Sequence, residues 1–200
     1  MLLVLTVLVV WLYVLSVLTR GKLYFAKFLV GCFGLFFFMM YFLSPIFVLP
    51  LGNAVATIAG IPGRLTGFYE SYPEYSLIFI SRPDSFISFY IDYECSGIIE
   101  MLAFAALLWF FPLYNTAEKA IVSIVGIGWI FMSNVIRILI ISMVIHIGGN
   151  NVFYFTHTVL GRIIFYGLSV VLYFYVFTKP HIVRQKVGVI SYGGNSNKTG

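Results

Sequence analysis

Residues 120–147, AIVSIVGIGWIFMSNVIRILIISMVIHI, decide the fold of this chain. The stretch is apolar almost throughout, and its one charged residue is Arg137. Such a run predicts a transmembrane helix, because about 20 apolar residues cross the hydrocarbon core of a bilayer. The run is longer than one straight crossing requires. We therefore expect its helix to tilt, to break or to project beyond the membrane.

The composition of the whole chain agrees with a membrane location. Of the 200 residues, 61% are hydrophobic and only 10% are charged, whereas soluble domains are about half apolar and a quarter charged. Most of the basic residues behind the formal net charge of +5 flank apolar runs. The sequence has no basic stripe with interleaved aromatics, the pattern that would predict nucleic-acid binding. Two cysteines are too few for a disulfide framework.

Four further apolar runs predict membrane crossings, at residues 2–18, 28–49, 97–114 and 158–178. The predicted fold is an all-α polytopic membrane protein with about five transmembrane helices. Under the positive-inside rule, the basic positions 20, 22, 27, 119, 179, 184, 186 and 198 place the N-terminus outside and the C-terminus inside. We expect residues 1–180 to form one integral-membrane domain and residues 181–200 to form a disordered cytoplasmic tail.

The region between the second and third runs predicts a small extracytoplasmic structure, at about residues 64–94. Residues 51–68, LGNAVATIAGIPGRLTGF, are typical of a short interfacial helix followed by a turn. Two β-rich segments then flank the turn cluster Arg82-Pro83-Asp84, and this pattern predicts a β-hairpin. Five of the seven acidic residues lie here, at positions 70, 74, 84, 92 and 94, as an outer location would require.

Three polar residues far apart in the sequence fall at the same predicted depth on the outer side: Cys95, Arg137 and His157. Ionisable groups inside a membrane are costly and usually functional. Each residue also fits a simpler role, with the cysteine as a packing residue, the arginine reaching the headgroups and the histidine capping a helix. Arg162 and Glu100 are likewise embedded in apolar sequence, and we expect them to pair within the bundle.

The three residues together predict cysteine-based acyl transfer. A cysteine at a helix N-terminus should have a lowered pKa, a histidine can move a proton, and an arginine can stabilise an oxyanion. Glu94 opposes thiolate formation, so a nearby cation is needed to offset it. His146 and His157 have no carboxylate at metal-ligand spacing, and nothing in the sequence predicts a metal or another cofactor.

Three motifs in order carry a family resemblance: Cys95-Ser96-Gly97, then Asn134-x-x-Arg137, then His157-x-x-x-Gly161. With the hairpin before the first of them, the chain resembles the exosortase/archaeosortase family of membrane transpeptidases over residues 70–178. In its small number of spans, the chain resembles the short, exosortase G-like form of the family. The resemblance implies that Cys95, Arg137 and His157 are catalytic and that Ser96, Asn134, Gly161 and Arg162 support them. Because some relatives carry arginine at the third catalytic position, Arg162 is the candidate for that role if His157 proves dispensable.

The resemblance also implies the partners. Substrates would be exported proteins that carry a C-terminal transmembrane sorting signal, and the acceptor would be a lipid or another envelope component. The enzyme would lie in the plasma membrane with its active site on the extracytoplasmic face. Two alternatives stay open, a plain cysteine protease that uses water as acceptor and a non-enzymatic transport or export component.

Overall fold

The computed structural model describes residues 2–82, 86–180 and 182. These residues form a mostly helical chain with one small antiparallel sheet, which confirms the predicted fold class. In chain order the elements are α1 (Leu2–Arg20), α2 (Tyr24–Phe42), α3 (Ser44–Thr66), β1 (Glu70–Tyr72), a 3-10 turn (Pro73–Tyr75), β2 (Leu77–Ser81), β3 (Phe86–Tyr90), α4 (Tyr93–Ser96), α5 (Ile98–Phe110), α6 (Thr116–Gly148) and α7 (Asn150–Thr178). Two π-helical segments, Thr156–Leu160 and Phe174–Thr178, lie within α7.

Four helices of the described chain, α2, α3, α6 and α7, are long and apolar enough to cross a membrane. α1 and α5, which correspond to the predicted crossings at 2–18 and 97–114, are shorter apolar helices. At 1.5 Å per residue, the 13 residues of α5 span about 20 Å. Apart from the second, at 28–49, the predicted crossings therefore each correspond to one apolar helix, although the lengths are less uniform than expected.

α1, α2, α5, the first half of α6 and the second half of α7 pack into one apolar bundle. Phe104 of α5 is fully buried, and it meets Tyr173 and Phe177 of α7 edge-on at 6.0 Å. Gly126 of α6 lies against the ring of Phe104, at a position where a Cβ atom would collide with it. Close packing of small residues against large ones is the usual way in which helices associate in lipid.

α6 is one unbroken helix of 33 residues, about 50 Å long. A bilayer core is about 30 Å thick. The second half of α6 packs against α3 and the sheet, where Ile138, Ile141 and Ile145 form a buried cluster with Ile78 and Ile80 of β2. The helix is thus longer than one straight crossing, as predicted, and it supports the sheet with its second half.

The sheet has the strand order β1-β2-β3, with both pairs antiparallel. β2 and β3 form the predicted hairpin, and Phe79 of β2 pairs with Ser88 of β3. Of its predicted turn, Arg82-Pro83-Asp84, the last two residues lie outside the described residues. β1 is a third strand that the sequence did not predict, because its three residues are too few to show an alternating pattern.

The predicted division between the second crossing and an interfacial helix was wrong. α2 ends at Phe42, and α3 is one continuous helix that contains Pro50 and Pro62. Interior prolines usually kink or end a helix. This helix continues because its small buried residues pack against α6 and the sheet: Gly52, Ala56, Ala59, Gly60 and Gly63.

The start of the last helix was also predicted wrongly. α7 begins at Asn150 rather than at residue 158, so His157 lies inside the helix. The proposed tail, residues 181–200, lies outside the described residues except for Ile182.

All four described lysines lie at one end of the molecule. The α1–α2 connection, the α5–α6 connection and the end of α7 lie together, because Tyr114 Oη donates to Val176 O at 2.6 Å and Lys27 lines one cavity with Phe110. The described basic residues at this end are Arg20, Lys22, Lys27, Lys119 and Lys179. The sheet lies at the other end of the molecule.

Candidate active site

Cys95 lies on the one-turn helix α4, between β3 and α5. Asp92 caps the turn: its side chain accepts from the Glu94 N–H at 3.1 Å, and its carbonyl accepts from Cys95 N–H at 3.1 Å and Ser96 N–H at 2.7 Å. Gly97 ends the turn with φ +78°, in the left-handed region that favours glycine. Cys95 is a free thiol with 1% of its surface exposed. The chain therefore holds this sulfur on a tight, buried turn.

Ser96 connects this turn to α5. Its side chain is fully buried, and its Oγ donates to Tyr93 O at 3.3 Å and accepts from Ile98 N–H at 3.4 Å. In the Cys-Ser-Gly motif, the cysteine thus supplies the sulfur, the serine hydrogen-bonds the turn to the start of α5, and the glycine allows the chain to change direction.

Asn134 and Arg137 hold the same turn from α6. They are three residues apart and share one face of the helix. Asn134 Nδ2 donates to the Cys95 carbonyl, and Arg137 Nη1 donates to the Glu94 carbonyl at 3.0 Å. Asn134 is fully buried and Arg137 is 4% exposed. The Asn-x-x-Arg motif therefore binds two consecutive carbonyls and fixes the direction of the sulfur.

His157 reaches the sulfur from the π-helical segment of α7. Its ring stacks on Phe153 at 5.9 Å and meets Phe89 of β3 edge-on at 5.9 Å. π-helical turns are rare and are frequent at functional sites. The two aromatic rings fix the plane of the imidazole, and sequence reasoning missed both. Aromatic residues make up 19% of the chain, so no signal marked these two.

Gly161, one turn after His157, lets α7 approach α6. A Cβ atom at this position would lie 2.6 Å from Ile141 Cδ1 and 3.3 Å from Arg137 Nε. A larger residue would require the side chain of Ile141 or Arg137, or α7 itself, to shift. The His-x-x-x-Gly motif thus combines an imidazole with the close contact that brings it to the site.

The structure brings together the sulfur, the imidazole and the guanidinium that the sequence selected. Cys95 Sγ lies 3.4 Å from His157 Nε2 and 3.8 Å from Arg137 Nη2. The guanidinium also lies over the ring of Phe165, 5.9 Å from its centroid. One sulfur is therefore in contact with a proton acceptor and with a fixed cation.

The expected lowering of the Cys95 pKa was wrong. α5 begins only after the left-handed residue Gly97, so the sulfur is not at the N-terminus of a long helix. Burial raises the pKa of the Cys95 thiol to about 11, while the Arg137 guanidinium lowers it. Three carboxylates raise the pKa further: Asp92, Glu94 and Glu100. At neutral pH the sulfur is therefore a thiol, and a base must take its proton when it reacts.

A polar cavity of about 310 Å³ adjoins the site on the α5 and α7 side. Arg162 Nη2 and Glu94 Oε2 form an ion pair of 3.2 Å beside it. Arg162 thus contacts Glu94. Among the described contacts of the Cys95 sulfur, His157 is the side chain that α7 contributes. Glu100 Oε2 is buried with no hydrogen-bond partner in the described part of the chain. The cavity is lined by Glu94, Ile99, Glu100, Arg137, Arg162, Phe165 and Tyr166.

The arrangement can perform nucleophilic acyl transfer. A thiol beside an imidazole can lose its proton as it attacks a carbonyl, and a guanidinium can stabilise the resulting oxyanion. No three His, Cys, Asp or Glu side chains come together as a metal site within residues 2–82, 86–180 and 182.

The chain was compared with known families, curated proteins and solved structures. The family model described as transmembrane exosortase matches residues 1–175, which include all three motifs. Neither the curated proteins nor the solved structures gave a match. At the level of the family, the match supports a membrane transpeptidase-type role with membrane-associated proteins as substrates. This chain belongs to the transmembrane exosortase family.

Proposed function

We propose that this protein is a cysteine transpeptidase that cleaves the C-terminal sorting signal of exported, membrane-anchored proteins and transfers them to an envelope acceptor. The observation that carries the proposal is the position of Cys95 Sγ, 3.4 Å from His157 Nε2 and 3.8 Å from Arg137 Nη2. The family match supports a role of this type.

In the first half-reaction, His157 Nε2 takes the thiol proton as Cys95 Sγ attacks the scissile carbonyl carbon. This step uses the tautomer that has its proton on Nδ1. Arg137 stabilises the negative oxygen of the tetrahedral intermediate. The C–N bond then breaks, His157 returns the proton to the leaving amine, and the anchor helix departs with a new N-terminus. The exported protein stays on the enzyme as a thioester.

In the second half-reaction, a nucleophile from the envelope attacks the thioester carbonyl. His157 takes the proton of that nucleophile, and the sulfur leaves and recovers a proton as the new bond forms. An amine acceptor gives an amide, and a hydroxyl acceptor gives an ester. Water in the same place would give a free carboxylate and make the enzyme a plain protease.

We place the site on the extracytoplasmic face of the plasma membrane. All four described lysines lie with Arg20 at the end of the molecule away from Cys95, and positive residues favour the cytoplasmic side. Exported substrates meet the enzyme on the outer side. In this proposal residues 1–180 form the transpeptidase domain. The residues that position the catalytic groups are Ser96, Asn134, Gly161 and Arg162.

The test compares cells that carry the wild-type protein with cells that carry Cys95→Ala. In the variant, exported proteins with a C-terminal apolar helix and a basic cluster should accumulate as precursors with intact C-termini. C-terminal peptide mass spectrometry measures this. In wild-type cells the same peptides should end at the cleavage site and carry an added mass.

Cys32→Ala is the matched control, because Cys32 is a buried free cysteine in α2, in a different part of the bundle from Cys95. It should process substrates at the wild-type level. If cells with Cys95→Ala and cells with Cys95→Ser both process the C-termini as wild-type cells do, the proposal is wrong. A mature C-terminus with a free carboxylate identifies the enzyme as a protease instead.

A further inference from the structure

β3 is an edge strand whose backbone is open on one side. It pairs with β2 alone among the described strands. The Ile91 N–H donates to Ser76 O at 2.8 Å, and hydrogen-bonded pairs alternate along an antiparallel ladder. Residues 87 and 89 therefore bond to β2, and the N–H and C=O groups of residues 86, 88 and 90 point away from the sheet.

The same three residues expose their side chains. Phe86 is 73% exposed and Tyr90 is 66% exposed, with the small, exposed Ser88 between them. The other edge of the sheet differs. In β1 the register leaves only the backbone N–H and C=O of Ser71 pointing away from the sheet. The Ser71 side chain contacts α3, because its Oγ donates to Ala56 O at 2.6 Å. An uncovered edge of unpaired backbone groups is a template for another extended chain.

β3 also runs towards the sulfur. Its first residues follow Arg82, which lies against Gly149 beyond the end of α6. Its last residue, Tyr90, leads directly into the capped turn that carries Cys95. The strand thus runs from the outer end of the molecule to the active site. An exported substrate that continues into a membrane anchor must run in the same direction.

We propose that the segment of the substrate just before its anchor helix binds as a fourth strand, parallel to β3, and so brings the scissile amide to Cys95. The inference rests on the proposed function and adds the mode of substrate recognition. Main-chain hydrogen bonds from residues 86, 88 and 90 supply affinity, and contacts with Phe86 and Tyr90 select alternate side chains. The ligand is an extended, unbranched peptide.

A disulfide scan tests this geometry. The enzyme carries Cys95→Ala together with Ser88→Cys, and the probe is the precursor that accumulates in Cys95→Ala cells, with single cysteines placed through the segment before its anchor. Mild oxidation should join the two chains at alternate precursor positions, because side chains of a strand alternate between faces. Moving the enzyme cysteine to Tyr90→Cys should move the crosslink two residues towards the precursor C-terminus.

The control cysteine is Tyr72→Cys, an exposed position on the same face of the sheet but on β1. It should give no crosslink. Crosslinks that lack the two-residue period, or that move towards the precursor N-terminus, overturn the parallel strand. A precursor that accumulates and does not crosslink overturns this inference and leaves the proposed function intact. If no precursor accumulates, both are wrong.

Proline substitution gives a second test in an otherwise wild-type enzyme. Ser88→Pro removes an outward N–H, and the precursor should be processed about 2- to 10-fold more slowly at low concentration, as expected for one lost hydrogen bond. The effect should lie in KM. Ser81→Pro is the control, since the Ser81 N–H points from β2 past the start of β1 and has no partner among the described residues. Equal processing by both variants contradicts the inference.

Discussion

Alkylation of Cys95 should be slower at pH 7.5 than alkylation of an unperturbed cysteine thiol, by about 100-fold from its ionisation alone. Burial raises the pKa of this thiol from 9.0 to about 11. Two pKa units lower the thiolate fraction from about 3 in 100 to about 3 in 10,000 at that pH. Only the thiolate reacts with an alkylating reagent. Because the neutral form is favoured, the rate should rise about tenfold per pH unit up to about pH 10.

The assay uses the purified protein in detergent, with iodoacetamide as the reagent and intact-protein mass as the readout. Cys95→Ala gives the background from Cys32. Restricted access to the buried sulfur also slows the reaction, but that effect does not change with pH. The slope of the logarithm of the rate against pH therefore measures ionisation separately from access.

A plateau in the rate between pH 6 and pH 8 would refute the reasoning. It would show that Cys95 and His157 form a thiolate–imidazolium pair before substrate binds, with the Arg137 charge outweighing burial. Asp92→Asn provides a second check, because asparagine retains a capping oxygen but removes a carboxylate that raises the thiol pKa. This variant should be alkylated faster than the wild type at pH 8.

Three other substitutions test the positioning residues. Gly161→Ala should destabilise the protein by about 1–3 kcal/mol through overpacking and lower processing. Gly167→Ala, with open space around the added Cβ, should be at least as stable as the wild type in thermal unfolding. Asn134→Ala leaves the Cys95 carbonyl without its donor, so the unfolding free energy should fall by about 1–3 kcal/mol. Arg162→Gln breaks an exposed ion pair worth less than about 1 kcal/mol, and this variant should still process the precursor. His157→Gln should not process it. The reverse result would assign the proton-transfer role of His157 to Arg162.

The apolar helices were predictable because lipid imposes long apolar runs on a sequence. α6 was found in this way, together with the polar residues inside it. α3 was missed as one helix because Pro50 and Pro62 are local signals for a break, and packing against the sheet outweighs them. β1 depends on pairing with β2 across the intervening 3-10 turn, which three residues of sequence do not reveal.

The proximity of the three candidate residues was predictable from the sequence, but their electrostatics were less so. The three motifs selected Cys95, Arg137 and His157, which meet in the structure. The lowered thiol pKa was predicted wrongly because burial of the sulfur raises it. The conformation of Gly97 also separates the turn from α5, and a positive φ angle cannot be read from a single glycine in a sequence. The polar cavity was missed because its residues come from α4, α5, α6 and α7.

The same contacts that suggest catalysis also hold the site together, so loss of activity alone does not identify a catalytic role. Arg137 donates to the Glu94 carbonyl through Nη1 and to the sulfur through Nη2. A variant such as Arg137→Lys keeps the charge but loses the fork that allows both contacts. If the charge matters most, the pH profile of Cys95 alkylation and the rate of processing should both stay close to the wild-type values. If the fork mainly holds the turn, protein stability should fall together with processing. Measuring all three quantities on one variant separates the chemical role of this arginine from its structural role.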